Sequence, residues 1–309
     1  MKAKISLIVP IYNEAANSQN LLQILSQVDP LRFDAELIAV DDGSRDQSAE
    51  LIEKMAQQEP RIQLLSFTRN FGKEAAIQAG LAHACGDAAI VIDADLQHPP
   101  ELIPQMLALW QQGIWVVDAV KQDRGDESWL SRRFAQVFYG MFKLLANLDI
   151  SGQSDYKLLD RKVIDQLLSF PEKNRFFRGL VSWAKFPSAQ LPFEVAQRSD
   201  AGGSKWSKLK LFRYAINNIT NFSSLPLKFV TYLGLLTFCA GLVVAINSLI
   251  QKIQGRALDG FTTVNLLIVL IGGAILIGLG IIGHYLAHVF DELKGRPAYL
   301  IKSRTETKS

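Results

Sequence analysis

The sequence has little cysteine and little net charge, and it lacks the common phosphate-binding signatures. Cys85 and Cys239 are its only cysteines. Cys239 lies in an apolar block and Cys85 in a polar part of the chain, so no mutual disulfide is expected, and the main domain suits a reducing compartment. A formal net charge of +3 gives no ground for a nucleic-acid partner. No GxGxxG follows the first apolar run, which argues against a dinucleotide site. Gly72-Lys73 is followed by Glu74 and has no upstream P-loop glycine, which excludes a Walker A site. The run Ile5–Ile11 is short and lacks a small-residue cleavage site, so no signal peptide is expected. Between Phe229 and Phe290 the only charges are Lys252, Arg256 and Asp259, in a chain with 33 basic and 30 acidic residues. This uneven distribution excludes a disordered chain, a fibrous chain and a purely soluble enzyme.

The apolar block reads as a membrane module. Phe229–Ile250 and Phe261–Phe290 carry no charge, and about 20 residues suffice to cross a hydrocarbon core. Two transmembrane helices are expected, near Val230–Ile250 and Val264–Leu286. Lys205, Lys208, Lys210, Arg213 and Lys228 precede the block without an intervening acid, and the tail 291–309 is also basic on balance. The positive-inside rule then places both termini in the cytoplasm. In 204–228, Leu209, Phe212, Ile216 and Ile219 share a helical face, which suits an interfacial amphipathic helix or a helix packed on the main domain. Small residues four apart (Gly241/Ala245, Ala274/Gly278, Gly283/Ala287) permit close helix packing, within the pair or between subunits of a dimer or tetramer. His284 and His288 share a helix face, but no third metal ligand accompanies them.

Residues 1–203 read as a separate α/β domain. Short apolar runs at Lys4–Val9, Glu36–Val40, Ile62–Ser66, Ala88–Ile92 and Trp115–Ala119 alternate with helix-like stretches at Ser18–Gln27, Ser48–Gln58, Lys73–Ala84 and Leu102–Gln111. Such βα repeats predict a mostly parallel sheet covered on both faces, with ligands at the carboxyl ends of its strands. Those ends carry acids and amides: Tyr12-Asn13-Glu14, Asp41-Asp42-Gly43-Ser44 and Asp93-Ala94-Asp95-Leu96-Gln97-His98. Acids there can bond a base or ribose, or hold a hard divalent cation against a diphosphate. Carboxylates two apart on extended backbone point the same way, which favours a metal reading of Asp93 and Asp95 over a helix-capping turn. His98 is either a ligand or a loop-shaping residue. A set of cations follows: Lys121, Arg124, Arg132, Arg133, Lys157 and Arg161. They suit a phosphate group or a solvated helix face.

Five motifs in order carry a resemblance: Val9-Pro10-Ile11-Tyr12-Asn13-Glu14, Val40-Asp41-Asp42-Gly43-Ser44, Thr68-Arg69-Asn70-Phe71-Gly72-Lys73, Asp93-Ala94-Asp95-Leu96-Gln97-His98-Pro99 and Gly202-Gly203-Ser204-Lys205-Trp206. With the apolar pair behind them, they resemble the family 2 glycosyltransferases of GT-A fold that act on polyprenyl phosphates. The resemblance implies a nucleotide pocket lined by Pro10, Tyr12, Glu14, Asp41, Asp42, Lys73 and Asp93. It implies a divalent metal, Mg²⁺ or Mn²⁺, at the DxD pair, with Asp93, Asp95 and Gln97 as candidate ligands. It places Lys121, Arg132, Arg133, Arg198 and Lys205 near donor or acceptor phosphate, and gives Asp155 a catalytic role as base or orienter. Many members have Arg where Lys157 stands, and a pair of Arg where only Arg198 is present. The activity implied is inverting transfer of a sugar from a nucleotide-sugar donor, UDP-glucose first, to polyprenyl (undecaprenyl) phosphate at the cytoplasmic leaflet. A hydroxyl acceptor on a glycolipid or polysaccharide, a silent nucleotide-sugar-binding scaffold and a lipid-sugar flippase are the competing readings.

Overall fold

The computed structural model describes residues 2–121, 153–172, 175–193, 225–254 and 261–305. The chain forms two units, one from Met1–Lys208 with Pro297–Ser309 and one from Leu209–Arg296.

The first unit is built on eight strands: β1 (Ala3–Ile11), β2 (Phe33–Asp41), β3 (Ile62–Phe67), β4 (Ala88–Val91), β5 (Val116–Lys121), β6 (Gln153–Asp160), β7 (Ser188–Phe193) and β8 (Ile301–Arg304). They make one sheet in the order β7-β5-β6-β4-β1-β2-β3-β8. β1 pairs in parallel with β2 and β4, and β2 with β3. β5 and β7 are also parallel, whereas β6 runs against both its neighbours and β8 runs against β3. The expected mostly parallel sheet is therefore present, with two reversed strands that the apolar runs did not announce.

Continuous apolar strands are the mark of a sheet buried on both faces. Ile5, Leu7, Ile8, Val9, Leu37, Ile38, Ala39, Val40 and Val117 are fully buried, and Val116 nearly so. The covering helices are α1 (Asn20–Ser26), α2 (Ser48–Gln58), α3 (Lys73–His83), α4 (Ile103–Gln111), α5 (Arg161–Ser169) and α6 (Phe177–Ala184). α3 lies close on β1 because Gly80 has no side chain there: a Cβ at that position would stand 2.3 Å from Ile8 Cγ2. The approach brings the N-terminus of α3 to the carboxyl ends of the strands.

Two of the basic residues from the sequence have structural duties. Lys157 is fully buried on β6 and ion-paired with Asp118, its register partner on β5. Burial lowers its pKa and the Asp118 carboxylate works against that shift. Arg161 donates to the carbonyls of Ala84 and Gly86, tying α5 to the turn before β4. These contacts match neither alternative of the sequence reading, a phosphate group or a solvated helix face.

The tail, which the sequence presents only as a basic flank, supplies β8. Its attachment is reinforced by Thr68 N–H donating to the Leu300 carbonyl at 3.0 Å. Leu64 N–H donates to Thr305 Oγ1 at 2.8 Å, and Tyr299 stacks on Phe67 with ring centroids 5.1 Å apart.

The second unit contains α7 (Leu225–Ile253) and α8 (Phe261–Leu293). At 1.5 Å per residue they extend about 43 and 50 Å. Their large apolar side chains, including Leu236, Phe238, Leu276 and Leu286, are exposed. Among the described residues, Leu270–Leu293 is long and apolar enough to cross a bilayer, and Phe229–Val244 is a shorter apolar stretch. The two helices touch where Gly278 faces Val230: a Cβ on Gly278 would lie 2.9 Å from Val230 Cγ1. One of the expected small-residue positions thus packs within the pair. The expected interfacial helix falls on 204–228, of which 204–224 lie outside the described residues.

Removing one partner of a buried ion pair strands the other charge, at about 3–5 kcal/mol. Lys157→Ala should therefore lower the unfolding free energy by that order in denaturant titrations. The double variant Lys157→Met/Asp118→Leu should recover most of the loss.

Candidate active site

The carboxyl ends of β1, β2 and β3 are laced together by short side chains. Asn13 has a left-handed backbone, φ 56°. Its amide donates to Ser44 Oγ at 2.9 Å, and its side-chain oxygen accepts from Arg45 N–H at 2.9 Å. Glu14 N–H donates to Ser48 Oγ at 2.8 Å. Asp41 accepts from Ser44 N–H, and the Asp42 carboxylate accepts from Phe71 N–H at 2.6 Å and Gly72 N–H at 2.9 Å. Burial pushes the Asp42 carboxyl up, partly offset by those two N–H groups. Gly43 lets the third loop approach: at φ 68° a Cβ would meet the Arg69 carbonyl carbon at 2.5 Å. Asp41 and Asp42 thus hold this wall of strand ends in shape, while Tyr12 is exposed and Pro10 and Glu14 are half-buried along its rim.

Beside this wall stands a compact charge array. Lys73 opens α3, and its ammonium lies 2.6 Å from Asp93 Oδ1 and 2.8 Å from Asp155 Oδ2. Arg178, on the first turn of α6, grips Asp155 with a guanidinium fork, Nε to Oδ1 at 2.6 Å and Nη2 to Oδ2 at 2.9 Å. Burial opposes ionisation of Asp155. The Arg178 hydrogen bonds and the Lys73 charge outweigh it and hold the carboxyl well below the usual carboxylate range. Lys73 is likewise held above the ordinary lysine range, its two carboxylates outweighing the cost of burial. Glu74 accepts from Phe177 N–H at 2.9 Å. Burial and the Asp155 charge push its carboxyl up to about 7.

The DxD turn follows β4. Ala94 is buried and directs its flanking acids outward, Asp93 half-exposed and Asp95 exposed. The turn passes through a left-handed Leu96 at φ 54°, and Gln97 N–H donates to Asp95 Oδ1 at 3.1 Å. Lys73 supplies the neutralising charge for Asp93, a task the sequence had given to a metal, and Asp95 is left as the acid that faces outward. Among the described residues no three His, Cys, Asp or Glu side chains converge as a closed metal cage. Exposed carboxylate oxygens at this turn nevertheless fit a Mg²⁺-type ion, which takes one or two carboxylates and fills its shell with phosphates and water. His98 is buried against Tyr156 and Phe193, with ring centroids 5.5 Å away in each case. Its Nδ1 lies 3.6 Å from Asp93 Oδ2, so this packing leaves it beside the DxD acids and both readings stand.

The structure therefore brings together Lys73, Asp93, Asp155 and, across the wall, Asp42. Lys121 ends β5, with only its backbone described. Arg132, Arg133, Arg198 and Lys205 lie outside the described residues. Sequence reasoning missed Arg178 and Glu74. The signal for Arg178 was a lone cation in the otherwise apolar run Phe176–Val181. Glu74 had served only to reject a P-loop.

The family model described as glycosyl transferase family 2 matches residues 6–168. The chain is 36% identical over 307 residues to the bactoprenol glucosyl transferase of Shigella phage SfX, covering 97% of this chain and 99% of that protein. It is 36% identical over 304 residues to an uncharacterized glycosyltransferase of Synechocystis, covering 97% and 95%. Among solved structures it resembles glucosyl-3-phosphoglycerate synthase from Mycobacterium tuberculosis in complex with Mn²⁺, UDP-glucose and phosphoglyceric acid. The TM-score is 0.52 at 22% identity, over 71% of this chain and 78% of that chain. That likeness identifies the fold.

Because the Glu74 pKa is raised from 4.5 to about 7, the folded state binds the extra proton, and this group's effect on stability worsens as pH rises through that window. The full shift corresponds to on the order of 3 kcal/mol, reduced to about 1–2 kcal/mol by solvent at the partly exposed carboxyl. Glu74→Gln keeps the acceptor for Phe177 and should gain that much over the wild type between pH 5 and 8, read from unfolding curves at each pH. Asp155 has the opposite sign: its contribution is present above its ordinary value of 3.8 and is lost as pH falls below it.

Proposed function

The chain belongs to glycosyl transferase family 2 and is a nucleotide-sugar glycosyltransferase, and from that premise we propose that its acceptor is a polyprenyl phosphate and its donor UDP-glucose. The carrying observation is Asp155. A hydroxyl acceptor needs a general base with a pKa near the working pH. Asp155, the acid given the catalytic role, is held ionised by Arg178 and Lys73 and is a poor base; Glu74, raised to about 7, already accepts from Phe177 N–H and is the acid on which a hydroxyl acceptor would have to rely. A phosphate monoester needs none, because its second pKa of about 6 leaves it ionised at neutral pH. The near full-length similarity to a protein named bactoprenol glucosyl transferase supports the same acceptor and a glucosyl donor.

In this reading the wall built by Asp41, Asp42 and Gly43 receives the nucleotide, with Tyr12 and Glu14 on its rim. The donor diphosphate lies over the Asp93–Asp95 turn. A divalent ion held by Asp95, with Asp93 and Gln97 beside it, would stabilise charge on the departing nucleotide diphosphate. An acceptor phosphate oxygen attacks the anomeric carbon from the face opposite the diphosphate, whose bond to the sugar breaks, so configuration inverts. Asp155 orients Lys73 and takes no proton. Lys121, Arg132, Arg133, Arg198 and Lys205 are assigned to the phosphates.

Chain topology supports a two-span membrane anchor. β8 lies beyond the helical unit yet pairs with β3, so both belong to one side of any bilayer. The segment 209–296 then crosses an even number of times, and α7 and α8 supply two crossings. The basic flanks favour the cytoplasmic side.

Full-length protein in detergent or vesicles, given polyprenyl phosphate, Mg²⁺ or Mn²⁺ and a panel of nucleotide sugars, should place sugar in the lipid phase, fastest from UDP-glucose. Transfer only to hydroxyl acceptors, or none from any donor, would overturn this function. Asp95→Asn should lower kcat by roughly a hundredfold or more, and chelation should abolish turnover until metal is restored.

A further inference from the structure

Arg178 stands in the apolar first turn of α6, among buried Phe177, Gly179, Leu180 and Val181. The proposed chemistry gives it no direct contact with substrate, yet four charges alternate in sign from it to the DxD turn. Its fork meets both oxygens of Asp155, and a third nitrogen donates to the Gln153 carbonyl at 3.3 Å. Asp155 meets Lys73 at 2.8 Å, and Lys73 meets both oxygens of Asp93, at 2.6 and 2.9 Å. The far end is anchored as well: Gln153 Oε1 accepts from Ser182 on the same helix and from buried Lys157. A planar fork fixes both the position and the plane of a carboxylate, which a point-charge ammonium does not.

We infer that Arg178 is a positioning residue for sugar transfer, fixing Asp155, through it Lys73, and through Lys73 the Asp93 carboxylate of the DxD turn. This rests on the proposed use of that turn for the donor diphosphate. None of the bonds of the nucleotide wall described above involves Arg178, so its effect falls on turnover more than on donor affinity, which it reaches only through Asp93. Misplacing a reacting group by about an ångström costs on the order of a hundredfold in rate.

The test uses the full-length protein with Arg178→Lys and Arg178→Ala. Arg178→Lys keeps the charge but not the fork. It should lose roughly 10- to 100-fold in kcat, a larger change than the accompanying rise in donor KM. Arg178→Ala should lose more, and guanidinium added to the assay should restore part of its kcat. A second readout needs neither donor nor acceptor: acetylation of Lys73 by an amine-reactive reagent, followed by mass spectrometry. Freed from a fixed Asp155, Lys73 should label several times faster in Arg178→Lys, at a melting temperature close to wild type. Wild-type labelling of Lys73 in folded Arg178→Lys would overturn the relay, as would wild-type kcat. A wild-type protein that labels as expected but makes no lipid-linked sugar would instead overturn the acceptor assignment and leave the relay standing.

Discussion

Asp155 is the point on which the candidate site is balanced. A carboxylate in this crowded position would be expelled or protonated on its own, because burial disfavours its charge. Two cations from different helices make it stable, Lys73 from the start of α3 and Arg178 from the start of α6. The bond is reciprocal. Asp155 also makes it possible to place an arginine and a lysine side by side, and so fixes where both helices begin relative to β6. Lys73 then has charge to spare for Asp93, and the DxD turn takes its position from that. Remove the acid, and two cations face each other with nothing between them.

The same logic separates two kinds of acid at the strand ends. Asp41 and Asp42 are spent on backbone N–H groups and make a wall. Among the described residues Asp95 accepts from the Gln97 amide in its own turn, and it stands exposed. Acids in a motif look alike in a string of letters. In the fold they differ in how many of their lone pairs are already taken, and Asp95 is the one left facing outward.

Legibility in the sequence followed burial. β1 to β5 were readable because strands buried on both faces are continuous apolar runs, and α1 to α4 because they alternate with them. β6 was not, since Gln153–Asp160 carries Asp155, Lys157 and Asp160 among its apolar residues. β7 alternates at the edge of the sheet, and β8 is four exposed residues. Lys157 read as a surface cation because nothing local reveals Asp118, 39 residues earlier, as its partner. In the site, motif positions such as Lys73, Asp93 and Asp155 could be listed from the sequence. The contacts that give them meaning could not, because Arg178 reaches Asp155 only when α6 packs on β6.

β8 sets an order of events. A chain is made from its N-terminus, so β3 is synthesised long before the strand that covers its outer edge. Until Ile301–Arg304 arrives, that edge presents unpaired backbone groups, which invite pairing with other chains. Everything between Lys208 and Pro297 must be made first, including both long apolar helices. The first unit therefore closes its sheet only after the long apolar helices have left the ribosome.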